Sequence, residues 1–432
     1  MSEDRPLRVL HVVQGYAPAV GGTERVVQRL SEELVSRYGD QVTVFTSDCF
    51  SAEAFPRPAH PSLPVGREIR NGVAIRRFHV VRSLGPLLYR AQDAAFRLGL
   101  PLNQYLRTWY AGPIIPGLAS AVRAHPADVV VASSFPLRHM YQALSGARRS
   151  GRPCVLVGGM HPEDRWGYDR PMIHRAIRQA DLYVAYTGFE AQHVVSHGAQ
   201  LDRVEVIGLG VDPEPFVAID GWEAKRALGL GDHPVVGFIG QLGGHKGVDT
   251  LLDAMPSIWA RRPETRLLIA GARTEFASQI EARVAQYDPE VRRKVLLHYD
   301  FDENEKPQLF GAIDAFVYPS GYESFGVVFL EAWSAAKPVI GCASGAVRDV
   351  VREGQDGLLV PFRDADALAE AALGLLENPE WARSMGLAGR ARVRDRHTWK
   401  VVAARFRESY VRTIERRRDP LGMMPGGVRV SP

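Results

Sequence analysis

Short apolar runs alternate with amphipathic segments along most of this chain, and this alternation limits its fold more than any other feature. Residues 7–13 form the first apolar run, and residues 23–38 carry Val26, Leu30 and other apolar side chains at helical spacing. Residues 41–46 form the next run. A strand, a helix and a second strand in this order predict the start of a parallel α/β domain, since parallel strands need a long crossover between them.

The alternation continues as two consecutive series of strand candidates. After the first two strands, the first series contains residues 128–132, 154–157, 182–185 and 204–207. The second series contains residues 235–239, 266–270, 295–298, 315–318, 338–341 and 357–360. We therefore expect two doubly wound, Rossmann-like domains with a boundary near residues 208–233. Ligands of such sheets bind beyond the carboxyl ends of the strands, so two facing sheets would place the site in a deep interdomain cleft.

The length and charge of the chain fit a globular protein of more than one domain. The 432 residues exceed what one hydrophobic core usually organises. With 53 Lys and Arg against 49 Asp and Glu, the formal net charge is only +4, which is too small to indicate nucleic acid as a partner. Residues 419–432 are rich in proline and glycine, and we expect them to form a disordered tail.

The sequence predicts a cytoplasmic location. The three cysteines, Cys49, Cys154 and Cys342, lie far apart and fit a reducing compartment. Residues 1–6 lack the apolar core of a secretory signal. The most apolar window, residues 111–122, is much shorter than the roughly 20 residues that a membrane span needs.

The segment 318–338 is the most informative part of the sequence. We expect a strand to end near its start, Ser324 to cap a helix, and that helix to begin near Phe325. Glu323 at the mouth of the helix offers acceptor oxygens for hydroxyl groups, and the first N–H groups of the helix suit a phosphate. Glu331 lies among apolar residues in the second turn, so its charge requires a partner from the protein or from a ligand. A helix that merely carries two surface glutamates is the alternative.

Three further signals are weak when each is taken alone. Residues 237–247 form a glycine-rich turn after a strand, and Lys246 supplies a positive charge, but neither a P-loop nor the dinucleotide glycine fingerprint is present. Gly21 and Gly22 precede the first helix, where an anion can bind. His161 follows a buried strand and points to the ligand side of the sheet. An ordinary strand–helix loop and a structural histidine are the alternatives.

Two histidines, His193 and His197, lie four residues apart and could share a helix face, as in some zinc sites. No third ligand is evident in the sequence, so we expect no metal site. The Asp-x-Asp triplet at residues 364–366 lies at the start of a predicted helix, and we interpret it as a cap or a surface pair.

These signals occur in a fixed order at matching points of the two α/β series. In that combination the chain resembles the family-four (group 1) retaining glycosyltransferases with the GT-B fold, over about residues 8–410. The most specific element is the pair Glu323 and Glu331 in Glu-Ser-Phe-Gly-Val-Val-Phe-Leu-Glu-Ala. Other family-like elements are Gly21-Gly22 with Glu24, the Gly-Leu-Gly-Val-Asp run at 208–212, Lys246-Gly247, Lys337-Pro338 and the His-Thr-Trp run at 397–399.

The resemblance implies a GT-B architecture, with two facing Rossmann-like domains. Residues 1–207 would form an N-terminal acceptor domain, completed by a C-terminal helix at about residues 398–418. Residues 208–397 would form a C-terminal domain that binds the nucleotide-sugar donor.

The resemblance also implies roles for individual residues. Glu331 would bind the ribose hydroxyls, Glu323 the hydroxyls of the donor sugar, and Lys246 the diphosphate. His161 would lie near the reacting carbon, and together with Lys246 and Glu323 it is a catalytic candidate. The remaining donor-binding candidates are Gly21, Gly22, Gln241, Leu297, His298, Ser324, Phe325, Gly326 and Val327.

The implied reaction passes a sugar from a UDP- or GDP-linked donor to an acceptor hydroxyl, with retention of configuration. No metal or other cofactor is implied, because Lys246 and helix N-termini would stabilise the leaving diphosphate. Gln241 departs from the family, which commonly has an arginine there, so one cation beside the diphosphate is lost.

The acceptor implied by the family is a sugar, a lipid-linked molecule or a glycan, in the synthesis of cell-surface polysaccharide, glycolipid or a related glycoconjugate. A nucleotide-sugar epimerase of the same fold is one alternative. A catalytically impaired sugar-nucleotide-binding protein is another. The missing glycine fingerprint disfavours a nicotinamide-dependent oxidoreductase.

Arginines cluster in the first domain between residues 67 and 107, beside a segment at 84–122 that is rich in Leu, Ile, Ala and aromatic residues. This pattern suits a peripheral contact with the inner face of the membrane, where a lipid-linked acceptor would be met. A helical insertion with a solvated basic face is the alternative interpretation.

Overall fold

The computed structural model describes residues 5–19, 21–51, 55, 61–82, 85–100 and 103–419. Within them the chain forms two compact units. The first contains the described residues up to Gly208 and those from Val402 onward, and the second is Leu209–Val401. The tail that we expect to be disordered, residues 419–432, lies outside the described residues except for Asp419.

The strands fall into two groups along the chain. The first group is β1 (Arg8–Val12), β2 (Gln41–Ser47), β3 (Gly66–Arg70), β4 (Val73–Phe78), β5 (Val129–Ser133), β6 (Cys154–Val157), β7 (Leu182–Ala185) and β8 (Val204–Val206). The second group is β9 (Val235–Ile239), β10 (Arg266–Gly271), β11 (Val295–Tyr299), β12 (Ala315–Tyr318), β13 (Val339–Cys342) and β14 (Gly357–Val360).

Helices connect most of these strands. In the first half they are α1 (Gly22–Tyr38), α2 (Gly85–Arg97), α3 (Asn103–Ala111), α4 (Leu118–Ala124), α5 (Arg138–Arg149), α6 (Arg165–Tyr168), α7 (Pro171–Gln179) and α8 (Gly188–Ser196). They continue with α9 (Glu214–Val217), α10 (Gly221–Ala227), α11 (Val248–Arg261), α12 (Glu275–Ala285), α13 (Pro289–Arg292), α14 (Lys306–Gly311), α15 (Val327–Ser334), α16 (Val347–Val350), α17 (Ala365–Glu377), α18 (Pro379–Arg392) and α19 (Trp399–Arg418). Among the described residues, no helix combines the length and the apolar character that crossing a bilayer requires.

The first unit is built on an eight-stranded sheet in the order β3-β4-β2-β1-β5-β6-β7-β8. Neighbouring strands are parallel except in the β3–β4 hairpin at one edge. Strands β5, β6 and β7 are buried along their whole length, as is typical of a parallel sheet with both faces covered. The apolar runs that predicted strands in this half of the sequence are all strands in the structure.

The β3–β4 hairpin does not follow from the apolar pattern. Strand β3 is exposed along its whole length and carries charged residues, so it lacks the apolar run of a buried strand. The hairpin turns at Asn71 and Gly72, whose φ angles are +49° and +78°. Asn-Gly is the favoured dipeptide for a turn with two positive φ angles, so this dipeptide was the signal available in the sequence.

The second unit is built on a six-stranded parallel sheet in the order β11-β10-β9-β12-β13-β14. All six strand predictions are confirmed, with ends that shift by at most one residue. From β9 the chain moves outward to β11, and from β12 it moves outward in the opposite direction to β14. The loops after β9 and β12 therefore flank the switch point, where open α/β sheets bind ligands. In the first unit the switch point lies between β1 and β5, and the α/β prediction with two doubly wound sheets is confirmed.

Most of α19 belongs to the first unit. Arg407 Nε lies 3.0 Å from Asp40 Oδ2, and the Leu7 N–H donates to Oδ1 of the same carboxylate at 2.8 Å. Further along the helix, the Tyr410 ring contacts His11 edge-on. These contacts fasten the last helix to β1 and to the residues just before β1 and β2.

Two motifs far apart in the sequence lie together in the second unit. The Val211 N–H donates to the His397 carbonyl at 2.8 Å, and His397 Nδ1 lies 3.1 Å from the Leu209 carbonyl oxygen. A Cβ on Gly210 would come within 2.7 Å of the Trp399 ring. Each of these family-like motifs therefore has a structural reason, because each holds the other in place.

Candidate functional site

The glycine-rich turn after β9 is fastened to the loop after β12. The Gly321 N–H donates to the His245 carbonyl at 2.9 Å, and the Ser320 hydroxyl donates to the same oxygen at 3.3 Å. Gly247 has a φ of +80°, and a Cβ there would come within 2.4 Å of the Pro319 carbonyl oxygen. Position 247 therefore requires glycine, both for its backbone conformation and for the space. The contact holds together the two loops of the switch point.

Lys246 and Glu323, both predicted to be catalytic, form an ion pair across these two loops. Lys246 Nζ lies 2.6 Å from Glu323 Oε1, and each side chain is only 11% exposed. The Tyr318 ring centroid lies 5.7 Å from Lys246 Nζ. Burial, followed by the nearby Glu323 carboxylate, raises the pKa of Tyr318 well above its usual value, so the phenol keeps its proton. An ammonium, a carboxylate and a phenol thus meet at the carboxyl ends of β9 and β12.

Helix α15 begins two residues later than the sequence predicts. Its first residue is Val327 and its N-cap is Gly326, so the prediction that Ser324 caps the helix was wrong. Gly326 has a φ of +89°, and a Cβ there would lie 2.7 Å from the Phe329 ring. The chain therefore enters the helix through a left-handed residue that has no room for a side chain. Only glycine fits at this cap position, 326. The first N–H groups of α15 have no acceptor within the helix, which suits them to an anion.

Glu331 has the partner that its burial requires. Lys306 Nζ lies 3.1 Å from Glu331 Oε1 and 3.2 Å from Glu303 Oε2. Burial by itself would lower the pKa of Lys306, but the two carboxylates outweigh burial and raise it. The partner of Glu331 is thus a protein side chain on the neighbouring helix α14, while its role at a ribose remains a prediction.

Gln241, Leu297 and His298, the other donor-binding candidates of the second unit, do not form one group. Gln241 is exposed in the turn after β9. Leu297 and His298 are half-buried residues of β11, at the edge of the sheet and separated from β9 by β10. His298 Nε2 lies 3.4 Å from Glu305 Oε2, and its ring stacks on Phe301 with 6.0 Å between the centroids. The structure therefore places Leu297 and His298 two strands away from the switch point.

In the first unit, Gly21 and Gly22 lie at the N-terminus of α1, beside the switch point. The Glu24 carboxylate folds back beneath this loop, and a Cβ on Gly21 would come within 2.2 Å of Glu24 Oε2. Gln14 Nε2 donates to Glu24 Oε1 at 2.9 Å, and burial raises the pKa of Glu24. Glycine at position 21 is explained by the space that Glu24 occupies. The predicted anion-binding loop thus has a buried carboxyl group as its neighbour.

The buried side chain of Glu190 holds the loop that carries His161. Glu190 Oε1 accepts hydrogen bonds from the Gly159 N–H at 3.0 Å and the Met160 N–H at 3.1 Å. Its Oε2 accepts one from the Tyr186 N–H at 2.8 Å. The backbone just before His161 is therefore anchored, which places the histidine at the carboxyl end of β6.

Two important residues were not singled out in the sequence. Glu190, which also accepts a hydrogen bond from the Tyr183 hydroxyl at 2.6 Å, had a signal in the capping pattern Thr-x-x-Glu. Thr187 Oγ1 does accept from the Glu190 N–H, at 3.3 Å, but the carboxylate turns to the His161 loop instead of the cap. Lys306 had no comparable signal, because its partner lies 25 residues away on another helix.

A third and a fourth candidate metal ligand lie beside His193 and His197. The structure brings His174 and Asp169 to them, although no third ligand was evident in the sequence. Spacing within the sequence could not reveal this group, since it depends on the contact between α7 and α8.

The structure therefore divides the predicted site residues between the two units. Lys246, Glu323 and residues 324–327 lie together at the switch point of the second sheet, and Glu331 lies on the helix that follows. Gly21, Gly22 and His161 lie at the carboxyl ends of β1 and β6 in the first unit.

Two protein families match consecutive parts of the sequence. Residues 20–215 match the family described as Glycosyltransferase Family 4. Residues 220–392 match the family described as Glycosyl transferases group 1. The two matches together span most of the chain.

Relatives agree with these families, and solved structures have the same fold. A GDP-mannose-dependent alpha-(1-6)-phosphatidylinositol monomannoside mannosyltransferase from Mycolicibacterium smegmatis is 29% identical over 414 residues, which is 93% of this chain and 97% of the relative. Anabaena HepE in complex with UDP and glucose has a TM-score of 0.68 at 17% identity, over 94% of this chain and 99% of that one. Sucrose-phosphate synthase from Thermosynechococcus elongatus has a TM-score of 0.71 at 22% identity, also over 94% and 99%. The chain therefore belongs to the group 1 glycosyltransferases of family 4 and has the GT-B fold.

Proposed function

We propose that this protein transfers a sugar from a UDP- or GDP-linked donor to an acceptor hydroxyl, with retention of the anomeric configuration. The observation that supports this most is the Lys246–Glu323 ion pair beside the N-terminus of α15, at the switch point of the second sheet. One ammonium, a group of backbone amides and nearby carboxylates suit the diphosphate and the hydroxyls of a nucleotide sugar.

Lys246 and the N-terminus of α15 stabilise the leaving group in this proposal. Negative charge develops on the diphosphate as the bond between sugar and phosphate breaks. The ammonium and the amides of Phe325, Gly326 and Val327 are in place before the reaction, so they stabilise that charge without reorganisation. Glu323 holds Lys246 until the donor binds, and its second oxygen accepts hydrogen bonds from the sugar.

Glu331 binds the ribose hydroxyls in the same proposal. Lys306 holds one of its carboxylate oxygens at 3.1 Å and so orients the side chain. For the first unit, the family resemblance supports a role for Gly21 and Gly22 at the diphosphate and for His161 beside the transferred sugar.

The identity of the donor is open to a direct experiment. One relative is named for GDP-mannose, and one solved neighbour contains UDP and glucose. A panel of UDP- and GDP-sugars, measured by thermal shift and then by slow donor hydrolysis, should identify one sugar nucleotide that raises the melting temperature and releases its nucleotide. Stabilisation by none of them would contradict the proposal. Release of an epimerised sugar nucleotide without an acceptor would instead support the epimerase.

The proposed transfer needs no divalent ion at the diphosphate. The rate of transfer should therefore be the same with and without a chelator. A rate that falls to zero on chelation and returns with added Mg²⁺ or Mn²⁺ would mean that a metal holds the diphosphate instead of Lys246.

We further propose that the acceptor is lipid-linked and that the first unit meets it at the cytoplasmic face of a membrane. Helices α2 and α3 expose large apolar side chains, and exposed arginines of α2 lie among them. The exposed apolar residues on and after these helices are Leu87, Tyr89, Phe96, Leu98, Leu100, Tyr105 and Trp109. Apolar and basic side chains on adjacent helices are typical of segments that lie on an anionic membrane surface.

Flotation with vesicles of anionic phospholipid tests this contact. The wild-type protein should float with them, and a Phe96→Ser, Leu98→Ser double variant should float less, because apolar area is lost from the contact. Leu387→Ser is the matched control, since Leu387 is an exposed leucine of α18 in the second unit. A wild-type protein that stays at the bottom of the gradient would contradict the membrane contact and would mean that α2 and α3 are a solvated insertion.

A further inference from the structure

Three histidines and one aspartate form a cluster at the contact of α7 and α8 in the first unit. Asp169 precedes α7, His174 lies in its first turn, His193 lies on α8, and His197 caps the end of α8. One side-chain nitrogen or oxygen of each residue lies within 4.8 Å of those of the other three. The proposed sugar transfer assigns no role to any of them.

The distances within this cluster approach those of a metal coordination shell. His174 Nε2 lies 3.2 Å from Asp169 Oδ1, and His197 Nε2 lies 3.4 Å from the same oxygen. In a tetrahedral zinc site with bonds of about 2.0–2.1 Å, the ligand atoms are about 3.4 Å apart. Two edges of the cluster already have about this length, and the other ligand atoms lie within 4.8 Å of one another, so closing the shell shortens no edge by more than about 1.4 Å.

Hydrogen bonding fixes the orientation of the His197 ring. Its Nδ1 lies 2.8 Å from the His193 carbonyl oxygen, and because a carbonyl can only accept, Nδ1 carries the proton. In the neutral ring, Nε2 then presents a lone pair to an Asp169 oxygen that has lone pairs of its own. Two acceptors at this distance repel each other unless a proton or a metal cation lies between them. Histidines that bind a metal through one nitrogen commonly donate the other N–H to a backbone carbonyl.

His193 also offers a nitrogen to the cluster. Its Nε2 is buried and has no hydrogen-bond partner within the part of the chain that the structure describes. The His197 ring centroid lies 4.0 Å from that of His174 and 4.4 Å from that of His193, so the three imidazoles are in contact.

We propose that Asp169, His174, His193 and His197 bind one divalent transition metal ion, of which zinc is the best match, at a structural site. Three imidazoles and one carboxylate are ligands that Zn²⁺ accepts in tetrahedral geometry, and protein side chains fill all four positions. Helix α7 leads from β6 to β7, and α8 leads from β7 to β8. The ion would therefore join two successive crossover helices and stabilise the first unit, with no part in sugar transfer.

Cobalt titration of the full-length protein tests this site directly. After removal of metal with a chelator, we expect uptake of one Co²⁺ per chain and the intense visible absorption of tetrahedral Co²⁺, which Zn²⁺ then abolishes. Neither measurement depends on sugar transfer, so the metal site and the proposed function can fail independently of each other.

Two ligand variants and one control locate the ion. His197→Ala and Asp169→Asn change partly exposed side chains, so both variants should fold. Each should bind Co²⁺ at least about tenfold more weakly and lose the tetrahedral spectrum. His79→Ala is the matched control, because His79 forms a separate histidine–aspartate pair with Asp48 at 2.9 Å in the same unit, and it should bind metal as the wild type does.

Thermal unfolding gives a second measurement of the same site. Zn²⁺ should raise the melting temperature of the wild type and of His79→Ala, but not that of His197→Ala. The proposal is overturned if the wild type takes up no Co²⁺, or if His197→Ala and Asp169→Asn bind it as tightly as the wild type.

Discussion

The two units share one architecture but satisfy the carboxylates beside their candidate site loops in different ways. In the second unit, Glu323 pairs with Lys246 and Glu331 pairs with Lys306. In the first unit, Glu190 accepts hydrogen bonds from three backbone N–H groups and a tyrosine hydroxyl, and burial raises its pKa.

This difference shows how one fold can serve two purposes. A lysine–carboxylate pair can release its members to the phosphate and hydroxyls of a ligand, because each keeps a charged or polar partner when it does so. A carboxylate that serves several buried N–H groups cannot move without leaving them unpaired, which costs free energy for each. The second unit thus offers exchangeable charges, whereas the first holds its loop in one position.

The largest effect is expected for Lys246→Ala. Because this variant removes the ammonium proposed to stabilise the leaving diphosphate, the rate of sugar transfer should fall about 100-fold or more. Lys225→Ala is the matched control, since Lys225 pairs with Asp314 at 2.7 Å in the same unit but outside the site, and it should transfer sugar at close to the wild-type rate. Equal rates for both variants in a transfer assay would mean that the Lys246–Glu323 pair has no part in the mechanism.

Glu190→Gln should destabilise the first unit. The amide keeps the shape of the side chain but loses acceptor capacity, so some of the donors around it are left without a partner, at a cost of about 2 kcal/mol. Chemical denaturation measures this loss, and hydrogen exchange should locate it at Gly159 and Met160. A variant as stable as the wild type would mean that the loop before His161 does not depend on this carboxylate.

Glu331→Gln should act on nucleotide binding more than on stability. Replacement of a charge-assisted hydrogen bond by a neutral one should weaken nucleotide binding about tenfold. Lys306 keeps its contact with Glu303 at 3.2 Å, so unfolding should change little. Isothermal titration calorimetry gives the affinity, and Glu303→Gln, which removes the other carboxylate from Lys306, should bind nucleotide like the wild type. A fall in stability without a fall in nucleotide affinity would mean that Glu331, like Glu190, has a structural role.

Acid should destabilise the first unit before the second. Burial lowers the pKa of His11 to about 3 and that of His139 to about 4. Below a pH of about 6.5 the unfolded chain binds protons that these folded imidazoles do not. The free energy of unfolding therefore falls by up to about 1.4 kcal/mol per pH unit for each histidine, down to the folded pKa.

Hydrogen exchange at pH 7 and pH 5, corrected for the intrinsic exchange rate, compares the two units directly. Protection in β1 and β5 should fall more than protection in β9 and β12. Equal losses in the two sheets would contradict this expectation.

The smallest effect is expected for Ser324→Ala. A helix cap that loses its side-chain oxygen costs about 1 kcal/mol, but Gly326 caps α15, so the stability should change by less than about 0.5 kcal/mol. Gly326→Ala should cost clearly more, because a Cβ has no room beside Phe329. Denaturant unfolding of the two variants shows which residue caps α15. A larger loss of stability for Ser324→Ala would mean that Ser324 is the cap, as the sequence predicts.

Local apolar periodicity was sufficient to predict most of the fold. The runs at 7–13 and 235–239 became the buried strands β1 and β9, since a parallel sheet covered on both faces needs continuous apolar segments. Apolar runs did not predict the β3–β4 hairpin, in which β3 is an exposed edge strand and therefore needs no such run.

The candidate site was only partly predictable. The need of Glu331 for a partner followed from its apolar surroundings, but the identity of Lys306 did not. The cap at Ser324 was wrong because residue preference does not report whether a side chain has room, and the space around Gly326 depends on a ring one turn further along the helix.

The sequence alone determined most of the segments that form strands and helices and the order in which they alternate, because apolar periodicity is a property of neighbouring residues. Only the tertiary structure decided which side chains meet: Lys246 with Glu323, Lys306 with Glu331, and the histidine of α7 with those of α8. These partners come from separate loops and helices, so their distances depend on how those elements pack around the sheets, which no local pattern specifies.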